Sequence, residues 1–370
     1  MSMRGGEKVI QAIAEFVPDA PIYTLLADVD ALSPQLQSRD IRPSFLQRIP
    51  GAKKNHRQLL PLYPAAARRL DLTAFDVVIS SDAAICKGIR TRPDALHICY
   101  CHSPMRYVWD LYDEYKRRAG IFRAAALTAV AGRLRRFDHQ AAQTVTAFIA
   151  NSNHVADRIH RNYQRQAATI YPPVQGIAPT TSPAEEFYLS IGELVEYKRA
   201  DLAVEACTKM NRRLVVIGDG PMLKSLRDRA PRHVQFLGWQ NDDVVHDHMR
   251  SCKALLFCGE EDFGMVPVEV QAAGRPVIAL AKGGALETVI SDKTGMFFNQ
   301  PTVDDLIQTI KRFESSDVDF SPAAISEHAR QFSPQAFDRR FTEFVTRCVE
   351  QHDPNHPRPL DEMFPAVSES

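Results

Sequence analysis

The stretch Ala254-Leu-Leu-Phe-Cys-Gly-Glu-Glu-Asp-Phe-Gly-Met-Val-Pro-Val-Glu269 carries the plan of the chain. Its first four residues are wholly apolar, and a short run of this kind reads as a strand buried on both faces. A glycine-bearing acidic loop follows. Pro267 suits the first position of a helix, where a missing N–H leaves no bond unmade. This spacing predicts Glu269 in the first helical turn, where the helix dipole favours a carboxylate. The segment therefore reads as strand, loop, helix.

The same unit recurs on both sides. Upstream lie Phe187-Tyr-Leu-Ser-Ile191, Arg213-Leu-Val-Val-Ile217 and His233-Val-Gln-Phe236; downstream lie Pro276-Val-Ile-Ala279 and Gly295-Met-Phe-Phe298. Earlier still come Asp76-Val-Val-Ile-Ser80, His97-Ile-Cys-Tyr-Cys101 and Ala147-Phe-Ile-Ala150, the last followed by the good helix-capping residues Asn151-Ser-Asn153. Apolar strands separated by helices predict parallel sheets covered on both faces. Pro179-Thr-Thr-Ser-Pro183 reads as a linker. The expected fold is α/β, with two Rossmann-like doubly wound domains at residues 1–175 and 176–330. A C-terminal helix at 331–350 is expected to pack back on the first domain, and a disordered tail to fill 351–370.

Composition supports a globular chain. Of 370 residues, 45% are hydrophobic and 24% charged, which excludes a mainly disordered, collagen-like or coiled-coil protein. The 45 basic and 45 acidic residues cancel. That balance argues against a nucleic-acid coat protein. It also conceals an asymmetry, with 24 Lys+Arg against 15 Asp+Glu in residues 1–170, a net of +9, and −9 in the remainder. Seven cysteines, odd in number and without a C-x-x-C, read as buried free thiols in a reducing compartment. No N-terminal signal pattern is visible. The longest apolar helical stretch, near Ala124–Ala131, falls far short of the ~20 residues that span a bilayer. The expectation is a soluble or peripheral protein.

Open parallel sheets bind ligands beyond the carboxyl ends of their strands, so the residues after each strand are the candidates. Glu261 and Glu269 frame a loop with free backbone N–H groups, suited to sugar hydroxyls and anions. A helix cap beside a solvated acid reads equally well. Lys198, in Gly192-Glu-Leu-Val-Glu-Tyr-Lys198, can neutralise a phosphate leaving group or remain a solvated charge. Gly218-Asp-Gly-Pro221 is a tight turn, and Lys282-Gly-Gly-Ala285 is either an anion nest or a plain capping loop. His102, after the strand at His97, is either structural or a partner for a substrate hydroxyl. Trp239 follows another strand end and is a candidate ligand-stacking aromatic. The triplets Asp28–Asp30 and Asp317–Asp319 have the pattern of a cation site but follow no convincing strand. The segment Lys116–Phe137 carries seven Lys/Arg and no acid around an apolar stretch. That pattern suits an anionic membrane surface, and equally a helix with its apolar residues in the core.

Together these elements resemble family 4 of the retaining glycosyltransferases, with the GT-B fold of two such domains facing a cleft. Glu261 and Glu269 with Phe263-Gly264 between them, then Gln271-Ala-Ala-Gly-Arg-Pro-Val277, carry the resemblance most strongly. Gly218-Asp-Gly-Pro221, Lys198 and Gly283-Gly284 match its donor half. Met3-Arg-Gly-Gly-Glu-Lys8, Cys101-His-Ser-Pro-Met-Arg-Tyr-Val-Trp109 and Ala150-Asn-Ser-Asn153 resemble its mannosyltransferase-like branch, which builds bacterial surface polysaccharides. The resemblance runs from about residue 3 to 350. It implies that His102, Lys198 and Glu261 act on the donor sugar and diphosphate and that Glu269 binds the ribose. It further implies that Gly6, Gly218, Gly220, Phe263, Gly264, Met265 and Val266 line the donor site.

The implied reaction moves a sugar, GDP-mannose being the first candidate donor, to a lipid-linked saccharide at the inner face of the cytoplasmic membrane. The departing phosphate takes the acceptor's proton on the same face, and no metal or other cofactor is expected. The segment Lys116–Arg136 would meet the anionic membrane, and nucleic acid is not an expected partner. Two departures stand out. Met1 and Ser2 directly precede Met3-Arg-Gly-Gly6 where relatives have a strand, so either the native start lies upstream or the first sheet lacks one. Glu193 stands where many relatives have Arg, so phosphate charge must come from Lys198, with or without Arg199, or the phosphate clamp is weaker. The alternatives are a nucleotide-sugar epimerase on the same fold and a truncated, non-catalytic nucleotide-sugar-binding protein.

Overall fold

The computed structural model describes residues 5–355 except 54, 111, 113–120, 181 and 354. The chain forms two units, Met1–Pro173 with Phe337–Ser370, and Val174–Ala336.

In the N-terminal unit β1 (Ile22–Thr24) and β2 (Ile41–Pro43) form a parallel pair. A parallel sheet runs in the order β3 (Val77–Asp82), β4 (Leu96–Cys101), β5 (Ala147–Ala150), β6 (Ala168–Thr169). The main helices are α1 (Gly5–Phe16), α2 (Ile121–Gln143) and α3 (Asn153–Tyr163). Side chains alternate across a strand, and the two faces separate accordingly. Leu96, Ile98, Tyr100 and Ile149 pack with Val9 and Ile13 of α1. Cys99, Cys101, Phe148 and Ala150 pack with Val155, Ile159 and Tyr163 of α3. Helix α3 starts where the Ser152 hydroxyl accepts the Val155 N–H at 3.1 Å. Among the described residues no strand precedes α1.

The C-terminal unit contains β7 (Tyr188–Ile191), β8 (Leu214–Ile217), β9 (Val234–Gly238), β10 (Ala254–Phe257), β11 (Val277–Leu280) and β12 (Gly295–Phe298). All are parallel, in the order β12-β11-β10-β7-β8-β9. Helices α4 (Ala200–Met210) and α5 (Met265–Ala272) follow β7 and β10. Tyr188, Leu214, Val216, Leu256 and Ile278 fill one face, while Leu189, Val215, Ile217, Leu255 and Val277 fill the other. This is the doubly wound pattern. The chain direction across the sheet reverses between β7 and β10, and ligands bind outside the strand ends at such a switch point.

The last helix, α6 (Pro334–Gln351), belongs from Phe337 onward to the N-terminal unit. Phe337, Phe341, Phe344 and Val345 join the cluster of β4, β5 and α1. The expected disorder does not begin at Gln351. Helix α6 includes that residue, and the His352 ring reaches the Asp94 carbonyl at 2.8 Å. Residues 356–370 lie outside those described. All seven cysteines are free and six are buried.

The basic segment is described only in part. Lys116, Arg117 and Arg118 lie outside the described residues, while Arg133 and Arg136 are exposed on α2. Arg135 corrects the expectation of a purely solvated or membrane-facing charge. Its guanidinium donates to the Val108 carbonyl and lies over the rings of Trp109 and Tyr112, 5.6 and 4.6 Å from their centroids. It therefore holds local structure by hydrogen bonding and cation–π contact. Among the described residues no helix is long and apolar enough to cross a membrane.

Candidate active site

At the switch point the loops after β7 and β10 meet. Lys198 Nζ lies 2.9 Å from Glu261 Oε1, with 21% and 22% of the two side chains exposed. They border a small cleft with Ser190, Gly192, Glu193 and Cys258. Burial works to lower the Lys198 pKa, but the charge of Glu261, with Tyr197 and Glu193 adding to it, raises it. The ammonium is firmly protonated. Lys198 and Glu261 are therefore brought together.

Two glycines make this approach possible. A Cβ on Gly259 would lie 2.6 Å from Lys198 Cα, inside any allowed contact, so the turn carrying Lys198 rests directly on the end of β10. Gly218, at φ +138°, would drive a Cβ to 1.9 Å from the Gly192 carbonyl oxygen. The Gly218–Gly220 turn is bonded in the same way: Leu194 N–H donates to Asp219 O at 2.9 Å. The sequence marked Gly218 and Gly220 but passed over Gly259. Its position between an apolar strand and paired acids was the available signal.

Helix α5 begins two residues earlier than its proline suggested. Gly264 is the N-cap and Met265 the first helical residue. Pro267 is thus third, where its N–H would still have no intrahelical partner. Glu269 consequently falls in the second turn, beyond the reach of the strongest dipole effect. Its side chain is half-buried, like those of Met265 and Val266. The Phe263 ring is buried, 5.6 Å from that of Phe332, so only its backbone can face a ligand. Nor is the Gly283-Gly284 turn a free anion nest. The Gly284 N–H donates to Glu261 O at 2.9 Å, so this turn braces the acidic loop. Trp239 stands 76% exposed after β9.

In the N-terminal unit His102 follows β4. Its Nε2 is 2.8 Å from Ser81 Oγ, and burial lowers its pKa to about 4, so the ring is neutral near pH 7. A Cβ on Gly6, in the first turn of α1, would lie 3.9 Å from Nε2, which places Gly6 beside His102. Beneath them Lys87 Nζ contacts Asp82 Oδ2 at 2.8 Å and Asp138 Oδ1 at 2.5 Å, all three side chains having no exposed surface. Trp109 Nε1 and the Tyr163 hydroxyl each donate to Asp138 at 2.7 Å.

Two family models match the chain: "Glycosyltransferase Family 4" over residues 4–175 and "Glycosyl transferases group 1" over residues 178–336. The chain belongs to glycosyltransferase family 4. The chain is 28% identical over 190 residues to an uncharacterised glycosyltransferase of Methanocaldococcus jannaschii, covering 50% of this chain and 54% of that one. It is 33% identical over 138 residues to a GDP-mannose-dependent α-(1-6)-phosphatidylinositol monomannoside mannosyltransferase of Mycobacterium tuberculosis, covering 32% and 36%. The aligned stretches thus span about half or less of these curated relatives. Among solved structures, Anabaena HepE in complex with UDP shares the GT-B fold, with a TM-score of 0.67, 16% identity and coverage of 93% and 96%.

The candidate site departs from one expectation in its positive charge. Arg199 does not assist Lys198: its guanidinium is bound to Asp201 at 3.0–3.2 Å and to the Pro301 carbonyl at 3.3 Å. Glu193 lines the cleft instead. Of the Asp-Val-Asp triplets, Asp28 pairs with Lys53 at 2.8 Å. Asp317 and Asp319 lie between the helices Val303–Ser315 and Pro322–Ala329. Among the described residues no three His, Cys, Asp or Glu side chains are grouped to hold a metal ion.

Proposed function

We propose that the protein is a retaining hexosyltransferase using a nucleotide sugar, with GDP-mannose as first candidate donor and a lipid-linked saccharide as acceptor. The observation that carries this reading is the Lys198–Glu261 pair at the switch point of the C-terminal sheet. A diphosphate is the natural replacement for Glu261 on Lys198, because charge-assisted bonds to phosphate are strong. Glu261, released, accepts from a sugar hydroxyl. The free N–H groups at the start of α5 face developing negative charge, a stabilisation that acts most in the transition state. Glu269 takes the ribose and His102 the donor sugar. The leaving phosphate receives the acceptor's proton on the face it departs from, so neither a protein nucleophile nor a metal ion is required. Arg133 and Arg136 draw the protein to the anionic inner face of the cytoplasmic membrane.

The test is transfer from a panel of nucleotide sugars to lipid-linked acceptors, with EDTA present and the product anomer assigned by NMR. The reading expects transfer with retention and an EDTA-resistant rate. Release of a new nucleotide-sugar isomer without acceptor would establish an epimerase instead. Thermal shift across the same panel ranks the donors, since a bound ligand stabilises the native state by mass action.

A further inference from the structure

Strand β3 ends in two adjacent serines, and each meets a histidine. Ser80 Oγ lies 2.9 Å from His97 Nε2, and Ser81 Oγ lies 2.8 Å from His102 Nε2. Adjacent residues of a strand point to opposite faces, so the pairs are independent. The first is sealed: Ser80 is 5% exposed, His97 is 1% exposed, and His97 Nδ1 has no partner. It is a packed, neutral contact. The second pair lies at the carboxyl end of β3 and β4, is only partly buried and stands beside Gly6.

The second pair also rests on a fixed base. The His102 backbone N–H donates to the Asp82 backbone carbonyl at 2.8 Å, and the Asp82 carboxylate is held by the buried Lys87, which Asp138 holds in turn. Ser81 is covalently next to that anchor. A neutral imidazole has one N–H and one lone pair, and a half-turn of the ring exchanges nitrogen for carbon at each position. The Ser81 bond selects one of the two orientations.

We infer that Ser81 is a positioning residue for the transfer reaction: its hydroxyl holds Nε2 of His102 and fixes the orientation in which the ring meets the donor sugar. This rests on the reading above that His102 meets that sugar. Without the Ser81 bond the ring populates both orientations, and part of the enzyme presents carbon where a nitrogen is needed. Nucleotide affinity is expected to hold, because Ser81 acts through the His102 ring.

The experiment compares Ser81→Ala, Ser81→Thr, His102→Ala and the double variant Ser81→Ala/His102→Ala, all checked for unchanged melting. Steady-state kinetics are joined by 15N spectra of histidine-labelled protein, with His102 assigned from its own variant. A hydrogen bond of ordinary net strength predicts about a five- to tenfold loss of kcat in Ser81→Ala with KM for the nucleotide sugar nearly unchanged. Thr keeps the hydroxyl and restores most of the rate. The Nε2 signal of His102 shifts in Ser81→Ala, as loss of its hydrogen bond requires, and the double variant is no worse than His102→Ala. A native rate in Ser81→Ala, or an unchanged Nε2 signal, overturns the inference while leaving the role of His102 standing. A native rate in His102→Ala overturns the role of His102 and that of Ser81 with it.

Discussion

In the N-terminal unit Lys87 sits between Asp82 and Asp138 with no exposed surface, whereas in the C-terminal unit Lys198 meets Glu261 with about a fifth of each side chain open. Both are lysine–carboxylate contacts on the same kind of βα frame. Their consequences differ because desolvation differs. A fully buried charge group is tolerable only while its pairing is complete, so Lys87 cannot lend itself to a ligand. It joins the turn after β3 to Asp138 of α2, with Tyr163 of α3 bonded to the same carboxylate. Lys198 and Glu261 are close enough to water to change partners. The same pair of residue types is therefore scaffold in one unit and machinery in the other.

The largest expected effect tests the scaffold. Lys87→Met leaves two carboxylates buried without their cation and should destabilise the N-terminal unit by about 3–5 kcal/mol, read from denaturant unfolding. A loss below about 1 kcal/mol would erase the distinction between the units. Next, Glu261→Ala and Lys198→Ala should each lower turnover about 100-fold, the scale set by losing one preorganised charged contact, with melting nearly unchanged. In Glu261→Gln the Lys198 ammonium no longer has a carboxylate partner, so the free nucleoside diphosphate should bind more tightly even as turnover falls. Titration calorimetry giving equal or weaker affinity would mean the pair does not exchange partners.

The pH dependence should be smaller. Burial lowers His97 and His102 to about 4, below the ordinary 6.5. The unfolded chain therefore binds protons that the folded chain refuses, and stability declines as pH falls from about 6.5 towards 4. For His97 alone this amounts to roughly 1–2 kcal/mol between pH 7 and 5. Unfolding midpoints flat across that range would contradict the buried, neutral ring. Smallest is the membrane effect. Replacing Arg133 and Arg136 by Ala should weaken binding to anionic vesicles by about 1 kcal/mol per charge, and by less in high salt. Arg135→Ala should instead lower stability, because its guanidinium serves Val108 and two rings.

What was legible in the sequence follows the range of the interactions. The strands of the C-terminal unit announce themselves by unbroken apolar runs, and Lys198 and Glu261 by following two of them. Their meeting depends on strand order, which a doubly wound reading supplies. Glu269 was misplaced by two residues because proline is tolerated anywhere in the first turn, and its local preference for the first position did not decide. Strands β1, β2 and β6 are two or three residues long and too short to show a period. The Ser81–His102 contact requires the register of β3 against β4. The Lys87–Asp138 contact joins residues far apart in sequence, and neither has a local signature.

The two crossings of the chain, at Pro173–Val174 and Ala336–Phe337, have a consequence for synthesis. The C-terminal unit is complete once Ala336 has emerged from the ribosome. The N-terminal sheet, though made first, waits for Phe337, Phe341 and Phe344 to cover one of its faces. The usual first-made, first-folded order is thus inverted: the later unit can close while the earlier one still exposes apolar surface. A nascent chain that has emerged only as far as Ala336, with an unrelated linker filling the exit tunnel behind it, should carry a protease-resistant 174–336 segment and a protease-sensitive amino-terminal half.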